Sequence, residues 1–115
     1  VDEAMWAQIA QLKARKFSAR GKEFAWDTLG GYFDAVDRAG VSVNVASYVG
    51  LSNLWECVMG KSHARPTAKQ FDQMKELLDE AMKDGALGLS TYMMMPPGSL
   101  ATTEDLAGLC QVVKK

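Results

Sequence analysis

An α/β fold in the order αβαβα, a piece of a parallel sheet or barrel, is what these 115 residues predict. Three observations carry that prediction. Twice a helical stretch ends on charged residues and glycine, with a β-prone apolar run directly behind it: Asp37-Arg38-Ala39-Gly40 before Val41, and Met82-Lys83-Asp84-Gly85 before Ala86. The chain between the two runs is long enough to hold a helix, and connections of that length usually join parallel neighbours by a right-handed crossover. The composition, 48% hydrophobic and 23% charged, is that of a packed domain rather than a disordered segment.

Taken in order, residues 1–20 read as a helix. Met5, Trp6, Ile9 and Leu12 fall at helical spacing, and Lys13, Arg15, Lys16 and Arg20 load its end with the charge that suits the helix dipole. Gly21 breaks it, so 1–21 stands as a helical N-terminal segment and 22–115 as the remainder. A second helix begins near Asp27 or Thr28, either of which can cap it, and carries Leu29, Tyr32, Phe33 and Val36 as its apolar stripe up to Gly40. The alternating, β-branched run Val41-Ser42-Val43-Asn44-Val45-Ala46-Ser47-Tyr48-Val49 predicts a strand over about 41–49, ended by Gly50.

Ser52 is placed to cap a short helix over 53–59, on which Trp55 and Cys57 are expected in the core. After the polar 61–66 loop, Thr67 and Gln70 form a capping box. The helix it opens runs to about Lys83, with Phe71, Met74, Leu78 and Ala81/Met82 on one face, and Gly85 closes it. Ala86 to Thr91, bounded by glycine, predicts a second buried strand over about 86–91. The two prolines of Met93-Met94-Met95-Pro96-Pro97-Gly98 make that stretch a loop. Thr102 caps a last helix with Leu106, Leu109, Cys110 and Val113 facing inward. Parallel strands are buried on both faces, and two strands cannot supply that cover for themselves. This predicts a missing remainder, as does a chain that opens without Met and stops on Val-Val-Lys-Lys.

Several function classes are disfavoured. A net charge of −1 with both signs interspersed offers no basic stripe for nucleic acid or an anionic membrane. No apolar run approaches the roughly 18 residues of a membrane span. Val1-Asp2-Glu3-Ala4 has neither the basic nor the apolar region of a signal peptide. Cys57 and Cys110 lack CxxC spacing and are expected as free, partly buried thiols in a reducing compartment, hence a cytoplasmic location.

Ligands in parallel α/β folds gather at the C-terminal ends of strands. Those ends are Tyr48-Val49-Gly50-Leu51-Ser52-Asn53 and Ser90-Thr91-Tyr92 onward, both rich in small or hydroxyl residues. The plainer alternative is a pair of ordinary loops with capping Ser and Thr. A zinc site wants three or four converging His, Cys or carboxylate ligands. The chain has one histidine, His63, in a polar loop where a solvated role is the simpler reading. No HxH, HExxH, GxSxG, P-loop or GxGxxG pattern occurs. The Met93–Met95 triplet is soft and adaptable enough for a metal or partner surface, although thioethers packed into an apolar cleft are the plainer expectation.

Three stretches, from about Lys22 to the C-terminus, carry a family resemblance. The first is Phe24-Ala25-Trp26-Asp27-Thr28-Leu29-Gly30-Gly31-Tyr32-Phe33, running on to Ala39-Gly40-Val41-Ser42-Val43-Asn44-Val45-Ala46. The second is Val49-Gly50-Leu51-Ser52-Asn53-Leu54 with Val58-Met59-Gly60. The third is Arg65-Pro66-Thr67, then Asp84-Gly85-Ala86-Leu87-Gly88-Leu89-Ser90-Thr91 and Pro96-Pro97-Gly98. Together they resemble the N-acyl-D-amino-acid deacylases (D-aminoacylases) of the metal-dependent amidohydrolase superfamily, of which the chain would be an internal fragment.

The resemblance implies an αβαβα portion of a TIM-barrel hydrolase that attacks the amide of N-acyl-D-amino acids with a zinc-bound water. It implies zinc in the full-length enzyme, with ligands outside this chain, so that the chain alone binds no metal and is inactive. The remainder of the barrel would be its partner. Asn44, Ser90 and Thr91 match positions near the substrate pocket, as orienting hydrogen-bond groups, with Leu51 and Met95 on the same rim. The chain departs from the family pattern at Leu51 (histidine in the family), Trp55 (arginine), Tyr92 (glycine) and Met95 (tyrosine), which makes the rim more apolar. The rival expectation is a non-catalytic interaction or scaffold module derived from such a barrel.

Overall fold

The computed structural model describes residues 17–19, 22–24, 26 and 28–114, which fall in two compact units, 1–41 and 42–115. In the first unit, β1 (Phe17–Ala19) pairs antiparallel with β2 (Lys22–Phe24), Phe17 opposite Phe24. The helix read over residues 1–20 is therefore corrected at 17–19; its other residues lie outside the described ones, as does Gly21. The apolar spacing behind that reading stops at Leu12, and nothing in the charged run after it required a helix to continue. Helix α1 (Leu29–Ala39) follows, with the Thr28 hydroxyl accepting from the Gly31 amide at 3.0 Å. Gly40 ends it at φ 70°, the left-handed turn for which glycine is the cheapest residue. Trp26 and Tyr32 meet edge to face with ring centroids 5.4 Å apart.

The second unit holds β3 (Val49–Gly50), α2 (Leu51–Met59), α3 (Ala68–Lys83), β4 (Leu89–Ser90), a short 3-10 turn (Gly98–Leu100) and α4 (Thr103–Val113). Strands β3 and β4 are parallel, Val49 against Leu89 and Gly50 against Ser90. Two further backbone bonds extend the contact: the Leu87 amide donates to the Ser47 carbonyl and the Val49 amide to the Gly88 carbonyl, both at 2.9 Å. The parallel pairing expected across the long connection is thus present, but the strands are shorter than the expected 41–49 and 86–91. Val43 and Val45 are 68% and 39% exposed. Alternation gives a segment strand propensity, whereas a ladder needs a second backbone beside it. No other described strand joins this pair.

Helix α3 is the centre of the unit. The Thr67 hydroxyl accepts from the Gln70 amide, and the Gln70 side chain accepts from the Thr67 amide at 2.9 Å, so the box read from sequence forms in full. At the other end the Gly85 amide reaches the Met82 carbonyl and the Ala86 amide the Ala81 carbonyl. This is a Schellman closure that turns the chain directly into β4. One face of α3, Met74 and Leu78, is wholly buried against Leu51, Leu54 and Trp55 of α2 and Leu109 and Val112 of α4.

Four local expectations are corrected. Gly50, not Ser52, is the N-cap of α2, and Ser52 lies inside the helix. Cys57 is exposed while Trp55 is core. Cys110 is also exposed, and Val112 takes the inward position on α4, because the buried face of that helix runs through Asp105, Leu109 and Val112. Met93, Met94 and Met95 are 38%, 82% and 56% exposed, so the thioethers do not fill a cleft.

Replacing a fully buried leucine removes its transfer free energy and leaves a cavity. Leu78→Ala should therefore cost about 2–5 kcal/mol. Met94→Ala, at an exposed position, should stay within about 0.5 kcal/mol. Urea unfolding of the two variants beside the parent sequence measures both, and equal losses would contradict this core.

Candidate functional site

The parallel register puts the C-terminal ends of β3 and β4 side by side, so the segments leaving Gly50 and Ser90 start from neighbouring points. The Ser90 hydroxyl donates to the Val49 carbonyl at 3.3 Å and ties the two ends together. Below them Gly88 takes φ 151°, with the Tyr48 ring 3.6 Å from where a Cβ would stand. A side chain there would be strained by the backbone, which explains glycine within a strand-like run.

Of the residues expected on the rim, Ser90 and Thr91 are exposed at this end, and Met95 is exposed a few residues further on. Asn44 is exposed in the irregular segment ahead of β3. Leu51 follows directly on Gly50, yet its side chain is 1% exposed because the first turn of α2 faces the core. The structure thus brings Ser90 and Thr91 beside Gly50, while Leu51 turns inward.

The chain leaving β4 returns as a closed loop over residues 91–101. A cis peptide joins Pro96 to Pro97. Gly98 is buried with its Cα against the backbone of Tyr92, so close that an added Cβ would run into the Tyr92 carbonyl oxygen. Ser99, Leu100 and Ala101 donate their amides to the carbonyls of Met95, Pro97 and Gly98. The three methionines form the exposed tip, and Tyr92 is 56% exposed beside them.

Sequence reasoning singled out Arg65-Pro66-Thr67 without giving Arg65 a role, and it missed Asp105. The structure joins the two. Arg65 Nη1 donates to Asp105 Oδ2 at 2.7 Å and to the Leu100 carbonyl at 3.0 Å, and Nη2 donates to Asp105 Oδ1 at 3.3 Å. Asp105 is also the last residue of the α4 capping box and the third residue of that helix. Its Oδ2 accepts from the Thr102 amide at 2.9 Å, while its own amide donates to the Thr102 hydroxyl at 3.2 Å. The box was legible as Thr-x-x-Asp; the long-range fork was not. Burial works against the Asp105 carboxylate, but the Thr102 amide and the Arg65 guanidinium outweigh it and hold the carboxyl below its ordinary value.

Among the described residues no three His, Cys, Asp or Glu side chains converge on a point that could hold a metal ion. His63, the single histidine of the sequence, is exposed in its loop. No helix of the described residues is long and apolar enough to cross a membrane.

No family model matches the chain. Individual proteins do. The D-aminoacylase of Alcaligenes xylosoxydans xylosoxydans is 34% identical over 91 residues, covering 79% of this chain and 19% of that protein. The N-acyl-D-glutamate deacylase of the same organism is 37% identical over 81 residues, covering 70% of this chain and 17% of that protein. The crystal structure of the N-acyl-D-glutamate deacylase of Bordetella bronchiseptica superposes with a TM-score of 0.70 at 36% identity, over 74% of this chain and 18% of that one. The chain is homologous to one segment of the N-acyl-D-amino-acid deacylases.

This deacylase-like segment spans about a fifth of the length of the curated relatives it matches. The Bordetella structure is described as complexed with zinc and a phosphonate inhibitor that mimics the tetrahedral intermediate of the reaction. The described residues of the present segment do not fit a zinc centre, since one exposed histidine and no convergent acidic or thiol group is too small a donor set.

A carboxyl held low in the folded state contributes stability that is fully present above its unfolded value of about 3.9 and is lost as pH falls through its folded value. The advantage of the parent sequence over Asp105→Asn should therefore be constant near neutrality and shrink under acid. In Arg65→Met the Asp105 midpoint should move up. Carboxyl-carbon NMR titration and acid unfolding test this, and an advantage that grew on acidification would contradict it.

Proposed function

We propose that the chain is part of a zinc-dependent amidohydrolase that cleaves the amide of N-acyl-D-amino acids, contributing two parallel strands of a TIM barrel and the loops at their C-terminal ends. The observation that carries the reading is the parallel register of β3 and β4, which opens two hydroxyl-bearing segments at one end. The 0.70 TM-score at 36% identity to a deacylase supports it. Residues 22–115 would be the barrel portion, with 1–21 outside it, in a cytoplasmic enzyme.

The net reaction adds water across the C–N bond: the acyl carbon gains the water's hydroxyl, the C–N bond breaks, and the leaving nitrogen takes the water's remaining proton. Because the described residues do not fit a zinc centre, no step through the metal is derived from them; its ligands would come from elsewhere in a longer protein. The part left to this chain is binding and orientation. Ser90 spends its proton on the Val49 carbonyl and keeps its lone pairs free to accept, and the Thr91 hydroxyl beside it is exposed. Asn44 would add an amide. Met95, with Tyr92 and the rest of the tip, would present an apolar wall to the acyl group or the amino-acid side chain. Leu51 would hold α2 beneath that rim.

The exposed methionines favour a second reading, a non-catalytic interaction module whose thioether tip binds another chain. Full-length protein supplied with zinc separates the two. Amine release from N-acetyl-D-amino acids, with the L-forms spared and zinc bound, is the expected result. A zinc-loaded protein that hydrolyses none of them would favour the binding module. Turnover by the 115-residue chain alone would overturn the assignment of the metal chemistry to residues outside it.

A further inference from the structure

We infer that Arg65 is a positioning residue: by gripping the Leu100 carbonyl and both Asp105 oxygens it fixes the exit of the 91–101 loop, and so sets where the Met93–Met95 tip stands at the strand ends. The inference rests on the proposed hydrolase reading for its link to substrate, but the grip itself stands on geometry. The loop entrance is fixed independently, by the Gly50–Ser90 register and the Ser90 hydroxyl on the Val49 carbonyl. Its middle is braced where Gly98 packs on the Tyr92 backbone. Its exit, Leu100 to Thr102, lies in no strand; the Leu100 and Ala101 side chains pack on the helical core and Thr102 caps α4, which leaves the direction of the Leu100 carbonyl to be set. There the Arg65 fork supplies one bond to the loop itself and two to the first turn of α4, and the Thr102–Asp105 box carries the constraint back to the loop end.

The Arg65 side chain is 55% exposed, so the pair adds less to stability than a fully buried one, although its partner Asp105 is only 12% exposed. What a planar guanidinium does offer is direction, because one rigid fork meets a carboxylate edge-on and a carbonyl beside it. A lysine would supply the charge without that geometry. Met93, Met94 and Met95 therefore form an exposed apolar surface carried on a base closed at both ends, as a wall that orients a substrate must be.

The test is Arg65→Ala and Arg65→Lys in the full-length protein, with two readouts. For hydrolysis of N-acetyl-D-methionine, Arg65→Ala should raise KM about tenfold while kcat and zinc content stay within about twofold. Millimolar guanidinium, entering through the exposed side of the vacated position, should restore KM, and Arg65→Lys should restore it poorly. Independently of activity, amide exchange at Ser99, Leu100 and Ala101 should speed up in Arg65→Ala, with Leu78 and Leu109 unchanged. Parallel loss of kcat, zinc and core protection would overturn the inference in favour of a general structural role, as would unchanged KM with unchanged loop exchange. If the unaltered protein hydrolyses nothing, the hydrolase reading fails by itself. The exchange data then decide the grip: faster loop exchange sustains it and unchanged exchange overturns it.

Discussion

Helix α3 buries Met74 and Leu78 completely, and the positions of the other elements of the second unit follow from that face. Successive buried residues four apart present one ridge, and a ridge can be covered on two flanks by two further helices. Helix α2 arrives from one strand and α4 departs after the other, so covering the ridge also fixes where the strands lie. The capping box at Thr67 and the Schellman closure at Gly85 set the ends of α3, and with them the point at which the chain enters β4. The core is therefore apolar and made by helices, while the polar groups collect at the ends of a short ladder. Buried among these apolar groups, the Trp55 Nε1 has no hydrogen-bond acceptor, although this side chain is 1% exposed. An unsatisfied buried donor costs about 1–3 kcal/mol, so the ring is retained for its volume at the expense of its N–H.

Most features that depend on neighbours close in sequence are legible in it, the start of α2 at Gly50 rather than Ser52 being the exception. The Thr28, Thr67 and Thr102 caps each link a side chain to an amide three residues on, and all three form. The left-handed end at Gly40 and the loop at Pro96-Pro97-Gly98 were legible for the same reason. Strand extent was not. The alternation of Val41 to Val49 expresses a preference for a pleated, half-buried surface, but only Val49 and Gly50 find a parallel strand beside them among the described residues. Side-chain direction on a short helix was equally hard to read: Trp55 and Cys57 share an apolar character, and α2 buries the one that reaches α3.

At the strand ends the sequence indicated the right region and left the connections unresolved. Ser90 and Thr91 stand where a parallel ladder ends, and that followed from topology. Leu51 follows Gly50 in sequence, but as the first residue of α2 it lies on the face of that helix that packs into the core. Arg65 and Asp105 lie 40 residues apart, in a polar loop and on a helix, with no periodicity to relate them. Only the three-dimensional path of the chain discloses that fork.

The fork also bears on why a polar arginine should sit beside such an apolar loop. Arg65 is half solvated while Asp105 is nearly buried, so charge alone does not account for three oriented bonds made by one guanidinium. A loop of eleven residues that must keep an exposed thioether tip in one place loses conformational freedom at each of its positions, about 1–2 kcal/mol per residue for the backbone. Burial offsets that cost mainly at Leu100 and Ala101, which pack on the helical core, and much less at the tip, where Met94 is 82% exposed. The constraint must enter at the two ends and the waist: the ladder at Ser90, the close approach of Gly98 to Tyr92, and the guanidinium at Leu100. With those three in place the methionines keep their side-chain adaptability on a backbone tied at three points. A surface of that kind can fit several apolar groups of similar size without giving up its position relative to the strand ends.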